Sequence, residues 1–416
     1  MNTQAEWQQV VVLGAVGKMG SGIALLLLQE MAMMENAVLT LLDTNPHGFE
    51  GLKKYLREHL GRYADRIHIS ESKEEFVERA LKQVRFVTSV EECHGSTIIF
   101  EAIIEDIGVK ARVLQDMDKQ TEGKAFFFSN TSSIPICVLQ QKSRLAGRLI
   151  GFHFYNPPAV QKLVEIIVPE VIDARLIDLA SAIGRRLQKV VVFSNDVAGF
   201  IGNGHFIREI IEADQCVGEL QSKMTPLEAL CTVNRVTQEF LLRPMGIFQL
   251  VDYVGIDVCH HIATIMTKYL PGMVFISPMI EEMLRQGIKG GQNPDGSQKN
   301  GFFHYKEGRP VSVYDAKKQT YEPYSDGGQL QGLLEECIPW KLLSKDPDKD
   351  LKIKDYFSHL RKQQTVGATL AESFLKKSKE IAQGLVKHEV ARSLADVDTV
   401  LKTGFFHLYG VNTPFE

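Results

Sequence analysis

Val10-Val11-Val12-Leu13-Gly14-Ala15-Val16-Gly17-Lys18-Met19-Gly20-Ser21-Gly22-Ile23-Ala24 decides the fold of this chain. Its opening aliphatic residues read as a buried strand, and the glycines at 14, 17, 20 and 22 mark a tight turn and a helix start. In such a strand–turn–helix the glycines let the backbone approach a phosphate. The helix end turns N–H groups and the positive end of its dipole toward that phosphate. The next strand, 38–42, ends at Asp43, at the spacing where a carboxylate hydrogen-bonds an adenosine ribose. Strand, glycines, helix and acid in this order predict a dinucleotide site formed by Gly14, Gly17, Lys18, Met19, Gly20 and Asp43. Asp43 favours NAD, because a carboxylate there repels the extra phosphate of NADP. The turn Gly14-Ala15-Val16-Gly17 is one residue longer than a G-x-G opening.

Outward from this motif, apolar runs at 10–13, 38–42, 84–87, 97–100, 125–128, 149–154, 163–168 and 190–193 alternate with helical patterns. That alternation predicts a doubly wound, Rossmann-type parallel sheet with helices on both faces. From Phe200 the pattern changes. Phe206, Ile210, Ile211 and Ala213 recur at helical spacing, and further helices are expected over 225–240, 256–269 and 277–286. Residues 290–301 read as a loop, Phe302-Phe303-His304-Tyr305 as a short ordered restart, and 344–350 as a charged surface turn before helical patterning resumes to Thr403. Leu227-Glu228-Ala229-Leu230-Cys231-Thr232-Val233 and Leu394-Ala395-Asp396-Val397-Asp398-Thr399-Val400 share the form L-x-x-apolar-x-T-V, a hint of a duplicated helical unit. The expected fold class is α/β, a doubly wound sheet followed by an all-α C-terminal region with two helical repeats.

A chain of 416 residues forms two or three domains with a large core. Hydrophobic residues make up 44% and charged residues 24%, a soluble globular balance. A net charge of −4 argues against nucleic-acid binding as the main task. Six scattered cysteines without C-x-x-C spacing point to a reducing compartment and no disulfide framework. Met1 to Glu6 lack a signal peptide's basic and apolar regions, and Leu25 to Leu28 lie in a stretch too short to span a bilayer. A cytoplasmic protein without membrane contact is expected.

Ligands of an open parallel sheet sit beyond the carboxyl ends of its strands. There Phe100 runs into Glu101-Ala102-Ile103-Ile104-Glu105-Asp106 and Phe128 into Ser129-Asn130-Thr131-Ser132-Ser133. Phe152 runs into His153-Phe154-Tyr155-Asn156-Pro157-Pro158, and a further strand begins Lys162-Leu163-Val164-Glu165. A bound NAD with a nearby histidine suggests hydride transfer from a secondary alcohol. Imidazole, with a pKa near ~6.5, takes a hydroxyl proton at neutral pH. A carboxylate on its other nitrogen fixes the tautomer. Taken singly, each residue has a plainer reading: His153 as a satisfied core histidine, Ser129 to Ser133 as a helix-capping turn, Glu101 or Glu105 as helix N-terminal acids. Lys53, Lys54 and Arg57, on the basic helical stretch 49–63, are either a solvated face or a site for phosphates of a second ligand. Cys259-His260-His261 resembles a ligand set, but adjacent helical residues point apart, so no metal is expected.

Together and in this order the motifs resemble the (S)-3-hydroxyacyl-CoA dehydrogenase family. The matching segments are Phe100 to Asp106, Ser129-Asn130-Thr131-Ser132-Ser133-Ile134, Gly151-Phe152-His153-Phe154-Tyr155-Asn156-Pro157-Pro158 and Lys162-Leu163-Val164-Glu165-Ile166-Ile167. Further on, Asp196 to Asn203 and Arg243 to Asp257 also match. Similarity runs from Val10 to Tyr305, and the tail looks like a divergent second copy of the family's helical domain. The resemblance implies an NAD-binding domain over 1–198, a helical C-terminal domain over 199–325 and a second helical repeat over 326–416. It implies NAD-dependent oxidation of a 3-hydroxyacyl-CoA, with His153 as base, Glu165 as its carboxylate partner, and Ser132 and Asn203 holding the substrate's oxygens. Glu105 and Lys110 match positions at the nicotinamide and its ribose, Asn130 joins the cofactor set, and Asn156 matches a residue beside the catalytic pair. Lys53, Lys54 and Arg57 are candidates for the phosphates of coenzyme A.

Three features depart from the family pattern: the longer glycine turn, Ala198 where proline is usual, and Gly202 and Gly204 flanking Asn203 where bulkier residues are common. The glycines imply a roomier cleft near Asn203 and an unusual acyl group. A dehydrogenase of a free hydroxy or sugar acid, and a non-catalytic NAD-binding protein, are the competing readings. A second helical copy in one chain is compatible with a monomer, where single-repeat members form homodimers.

Overall fold

The computed structural model describes residues 7–68, 70–293, 296–323 and 337–416, which divide into two compact units, Met1–Val197 and Ala198–Glu416. The expected boundary at 325/326, and Pro294 and Asp295 of the 290–301 loop, lie outside the described residues.

The first unit is built on an eight-stranded sheet in the order β3-β2-β1-β4-β5-β6-β7-β8. Its strands are β1 (Gln9–Leu13), β2 (Val38–Leu42), β3 (Val84–Val87), β4 (Ile98–Glu101), β5 (Phe126–Ser129), β6 (Leu149–Phe154), β7 (Leu163–Val168) and β8 (Val190–Asn195). Continuous aliphatic runs suit strands covered on both faces, and Val10 to Leu13 are at most 1% exposed. The helices of this unit are α1 (Lys18–Met31), α2 (Gly48–Ala64), α3 (Lys73–Lys82), α4 (Ile107–Gln120), α5 (Ile136–Ser143) and α6 (Ala174–Arg186). Leu25 to Leu28 are buried on α1. The strand order reverses direction at β1, so the gap between β1 and β4 is the switch point where such sheets bind ligands.

One pairing departs from the parallel reading: β6 and β7 are antiparallel. Residues 155–162 join them, too few for the crossover of about a dozen or more residues that a parallel pair requires. Phe152 and Phe154 pack into the core on one face of β6. Phe152 meets Phe100 and Phe128 edge-on, each at 5.7 Å, which ties β4, β5 and β6 together beneath their carboxyl ends. Because side chains alternate along a strand, His153 and Tyr155 take the opposite face.

The second unit is mainly helical: α7 (Gly202–Leu220), α8 (Pro226–Arg235), α9 (Ile247–Val254), α10 (Ile256–Tyr269), α11 (Pro278–Arg285), α12 (Trp340–Leu343), α13 (Lys349–Leu360), α14 (Val366–Lys387) and α15 (Leu394–Gly404). A π-helical turn, Val236–Phe240, continues α8. Both copies of L-x-x-apolar-x-T-V lie on capped helices, α8 behind Thr225 and α15 behind Ser393. The unit also carries a three-stranded antiparallel sheet, β9 (Phe303–Lys306), β10 (Arg309–Asp315) and β11 (Thr320–Pro323), where the sequence suggested only a short ordered segment. Asp252 of α9 docks this sheet by accepting from the Phe302 and Phe303 N–H groups and the Tyr305 hydroxyl.

Two details concern α7. A Cβ at Gly204 would lie 3.2 Å from Leu385 Cδ2 of α14, so the absent side chain eases the packing of that helix. Deeper in, Arg243 donates to both oxygens of Glu209 at 2.9 Å. Burial is the largest single influence and acts to raise the Glu209 pKa, but the Arg243 charge and hydrogen bonds, with His205 and His407, together outweigh it and hold the carboxyl at about 2, from 4.5. The pair therefore contributes stability above the unfolded value near 4.5 that is lost as the pH falls toward about 2. Glu209→Gln leaves the guanidinium buried beside an uncharged amide. It is expected to destabilise the protein by about 3–5 kcal/mol at neutral pH, read by chemical denaturation, with the difference from wild type shrinking in acid.

Candidate active site

The glycine turn follows β1 directly. Gly14 has φ +79°, and a Cβ there would stand 2.6 Å from Ala102 O at the end of β4. A Cβ at Gly20 would stand 2.0 Å from Gly14 O, so glycine is needed for the first turn of α1 to rest on the strand end. Gly17 caps α1, whose first turn carries no acidic side chain, and no side-chain hydrogen bond caps it. This is a helix end suited to an anion, with Lys18 exposed and Met19 half-buried beside it. The longer turn is absorbed locally. Val16 N–H donates to Asp43 Oδ2 at 2.9 Å, and its side chain lies where Gly48 at the start of α2 has none. Asp43 Oδ1 accepts from Asn45 N–H at 3.0 Å, so the acid expected at a ribose also pins the turn.

Beside the turn, a buried charge network links β4, α4 and β5. Lys110 is 1% exposed and its ammonium donates to Glu101 Oε1 at 2.6 Å and Ile103 O at 3.3 Å, and lies 3.1 Å from Glu105 Oε2. Burial acts to lower the lysine pKa, but the two glutamates outweigh it and hold it above its ordinary value. Glu105 is held below the usual carboxylate range: burial pushes it up, and Lys110 with the Thr131 and Ser132 hydrogen bonds pushes it further down. Ser129 donates to Glu101 Oε2 at 2.5 Å, and Glu105 Oε1 accepts from Thr131 Oγ1 at 2.5 Å and Ser132 N–H at 3.0 Å. The network therefore fixes the segment that carries Ser132. Lys110, expected at a ribose, spends its donors inside the protein. Asn130, expected with the cofactor, accepts the Phe154 N–H on Oδ1 at 2.8 Å and so anchors the end of β6.

The β6–β7 register pairs His153 with Glu165. Directly opposed residues of an antiparallel pair share a face, and here His153 Nδ1 lies 3.1 Å from Glu165 Oε2. His153 is 7% exposed and Glu165 fully buried. An ionised carboxylate only accepts hydrogen bonds, so Nδ1 carries the hydrogen and Nε2 is left as the basic nitrogen. Tyr155 donates its hydroxyl to the same Oε2 at 2.8 Å, a contact not drawn from the sequence although it follows from the i, i+2 spacing of 153 and 155. Asn156 follows with a buried Oδ1 that accepts no hydrogen bond among the described residues.

The other expected residues stand on other elements. Asn203 stands in the first turn of α7 in the second unit. Lys53 pairs with Glu50 at 2.7 Å and lies over the Phe86 ring, Arg57 pairs with Glu78, and Lys54 is exposed. Among the described residues no helix is long and apolar enough to cross a membrane, and no group of three His, Cys, Asp or Glu side chains is arranged to hold a metal.

A doubly wound sheet with a glycine turn and helix N-terminus at its switch point defines a dinucleotide-binding α/β protein. The family description "3-hydroxyacyl-CoA dehydrogenase, NAD binding domain" matches residues 9–197, and the family's C-terminal domain matches residues 199–300. The chain belongs to the 3-hydroxyacyl-CoA dehydrogenase family, and it is an NAD-dependent oxidoreductase. It is 28% identical over 308 residues to a probable 3-hydroxybutyryl-CoA dehydrogenase of Bacillus subtilis, covering 73% of this chain and 99% of that one. It is 30% identical over 253 residues to the mitochondrial hydroxyacyl-coenzyme A dehydrogenase of Sus scrofa, covering 60% and 77%. Among solved structures, 3-hydroxybutyryl-CoA dehydrogenase of Escherichia coli shares the fold with a TM-score of 0.69 at 19% identity, covering 97% of this chain and 90% of that one.

Gly20→Ala puts a methyl group against the Gly14 carbonyl and must push α1 away from the turn. NAD affinity, measured by titration calorimetry, is expected to fall at least about tenfold, roughly the effect of 1.4 kcal/mol.

Proposed function

We propose that this protein oxidises the 3-hydroxyl of an (S)-3-hydroxyacyl-CoA to the 3-ketone, with His153 as general base and Glu165 as the carboxylate that braces it. The observation that carries the reading is the contact between His153 Nδ1 and Glu165 Oε2, made from facing positions of an antiparallel strand pair. Bound NAD supplies the hydride acceptor. As the C3–H bond breaks and its electron pair leaves as hydride, the O–H bond breaks too and its proton passes to His153 Nε2. The imidazolium that forms is stabilised by Glu165, and the proton then leaves to solvent. Ser132, its backbone fixed by Glu105, and Asn203 hold the substrate's oxygens. Asn156 lies beside the pair, and Lys110 acts through Glu101 and Glu105. Gly14, Gly17, Lys18, Met19 and Gly20 hold the pyrophosphate, and Asp43 the adenosine ribose.

The domain arrangement belongs to the same reading: an NAD-binding domain over 1–198, a C-terminal domain over 199–325 and a divergent second helical repeat over 326–416. The echo shared by α8 and α15 supports the last division. Coenzyme A phosphates are assigned to Lys53, Lys54 and Arg57 on the outer face of α2. Two of these three already have acidic neighbours, Glu50 beside Lys53 and Glu78 beside Arg57, which incoming phosphates would displace.

NADH formation from 3-hydroxybutyryl-CoA and longer homologues, followed by absorbance, tests the reaction. His153→Gln is expected to lower kcat/KM by ~10²–10⁴-fold with NAD affinity unchanged. Glu165→Gln lowers kcat as well, because the imidazolium then lacks its counter-charge in a buried position. Absence of turnover with every acyl-CoA would overturn the proposal. Turnover of a free hydroxy acid instead would favour the related dehydrogenase.

A further inference from the structure

We propose that Tyr155 is a positioning residue that sets the proton affinity of His153 through the carboxylate they share. The inference deepens the proposed function and rests on His153 being the base. Two donors converge on one oxygen: His153 Nδ1 at 3.1 Å and the Tyr155 hydroxyl at 2.8 Å, both on Glu165 Oε2. The shorter contact belongs to the tyrosine. The His153 and Tyr155 rings lie beside each other, with centroids 4.9 Å apart.

The arrangement follows from the strand. His153 and Tyr155 alternate onto the same face, while Phe152 and Phe154 anchor the other face in the core. Tyr155 is buried, so its hydroxyl needs a partner. Burial first, then the Glu165 charge and its hydrogen bond, push the phenol well above its ordinary value. It therefore stays a donor at neutral pH. On β8 the residue in register with Glu165 is the uncharged Val192, and beyond β5 the Glu105 carboxylate is turned to Lys110, Thr131 and Ser132.

A carboxylate oxygen that already accepts a strong hydrogen bond is a poorer acceptor for a second. The Tyr155 donor therefore withdraws part of the charge that Glu165 offers the imidazole. The imidazolium gains less from Glu165 than it would in a bare His–Glu pair, so Nε2 stays deprotonated to lower pH. It also fixes the carboxylate, so Oε2 stays aimed at Nδ1 while the imidazole gains and loses its proton.

Tyr155→Phe removes the donor with little change of volume, and 3-fluorotyrosine at position 155 strengthens it. The first readout is the titration midpoint of His153 in the NAD-bound protein, followed by NMR of its imidazole resonances and assigned with His153→Gln. Tyr155→Phe is expected to raise the midpoint by about one pH unit and fluorotyrosine to lower it. The second readout is the acid limb of kcat/KM for oxidation, which should move in the same directions while KM for NAD stays put. Unchanged midpoints in both variants, or activity lost equally at every pH, would assign Tyr155 a packing role and overturn the proposal. The NMR titration needs no substrate. If no acyl-CoA turns over, the function fails while the midpoints still decide the role of Tyr155.

Discussion

The reversed pairing of β6 with β7 is the constraint on which the candidate site depends. Had the chain crossed over to make β7 parallel, His153 and Glu165 would not face each other in register. The connection over residues 155–162 is too short for that crossover, so the sheet must reverse. Reversal places the two residues directly opposite, and the two-residue period then delivers Tyr155 to the same carboxylate. Packing locks the register. Phe152 and Phe154 on β6, and Val164 and Ile166 on β7, bury the opposite face, and a one-residue slip would exchange the buried and functional sets.

A second requirement is that charged groups survive burial next to this pair. Glu101, Glu105 and Lys110 do so by mutual compensation: one ammonium between two carboxylates, with hydroxyls and a backbone carbonyl taking up the remaining contacts. Removing Lys110 from such a cluster leaves two carboxylates without their shared counter-charge, one of them fully buried, so the network depends on the lysine. Its output is geometric. It fixes the segment from Ser129 to Ser133 next to the strand that carries His153, and Asn130 closes the link by holding the Phe154 N–H. Residues that look from their family positions like cofactor contacts thus serve first to hold the site in shape.

Much of this was legible in the sequence, and the exceptions have physical causes. Buried strands such as 38–42 and 163–168 announce themselves as unbroken aliphatic runs, and their ends agree with the structure. The His153–Glu165 pairing was legible only through family likeness, because strand direction and register are tertiary properties. Tyr155 escaped notice because its hydroxyl looks like one more aromatic until the register is known. The three-stranded sheet over 303–323 was missed for a different reason. Its signal is a hairpin turn at Glu307 and Gly308, with φ of 52° and 75°, between short alternating strands of modest hydrophobicity. Such strands gain their stability from docking on Asp252 rather than from a pattern of their own.

The departures from the family pattern show how local surroundings decide what a substitution means. Read alone, an additional residue in a phosphate-binding turn suggests altered cofactor geometry. In the folded chain Val16 finds both its needs nearby: Asp43 takes its N–H and Gly48 yields space for its side chain. The backbone at Gly14 and Gly20 keeps its close approach. At Gly204 the absent side chain is likewise matched by Leu385 of α14, which lies against it. In both cases the missing or added atoms are matched by a compensating residue far away in sequence. The variation is thus absorbed by packing around the site, and the residues that would meet cofactor and substrate need not change with it.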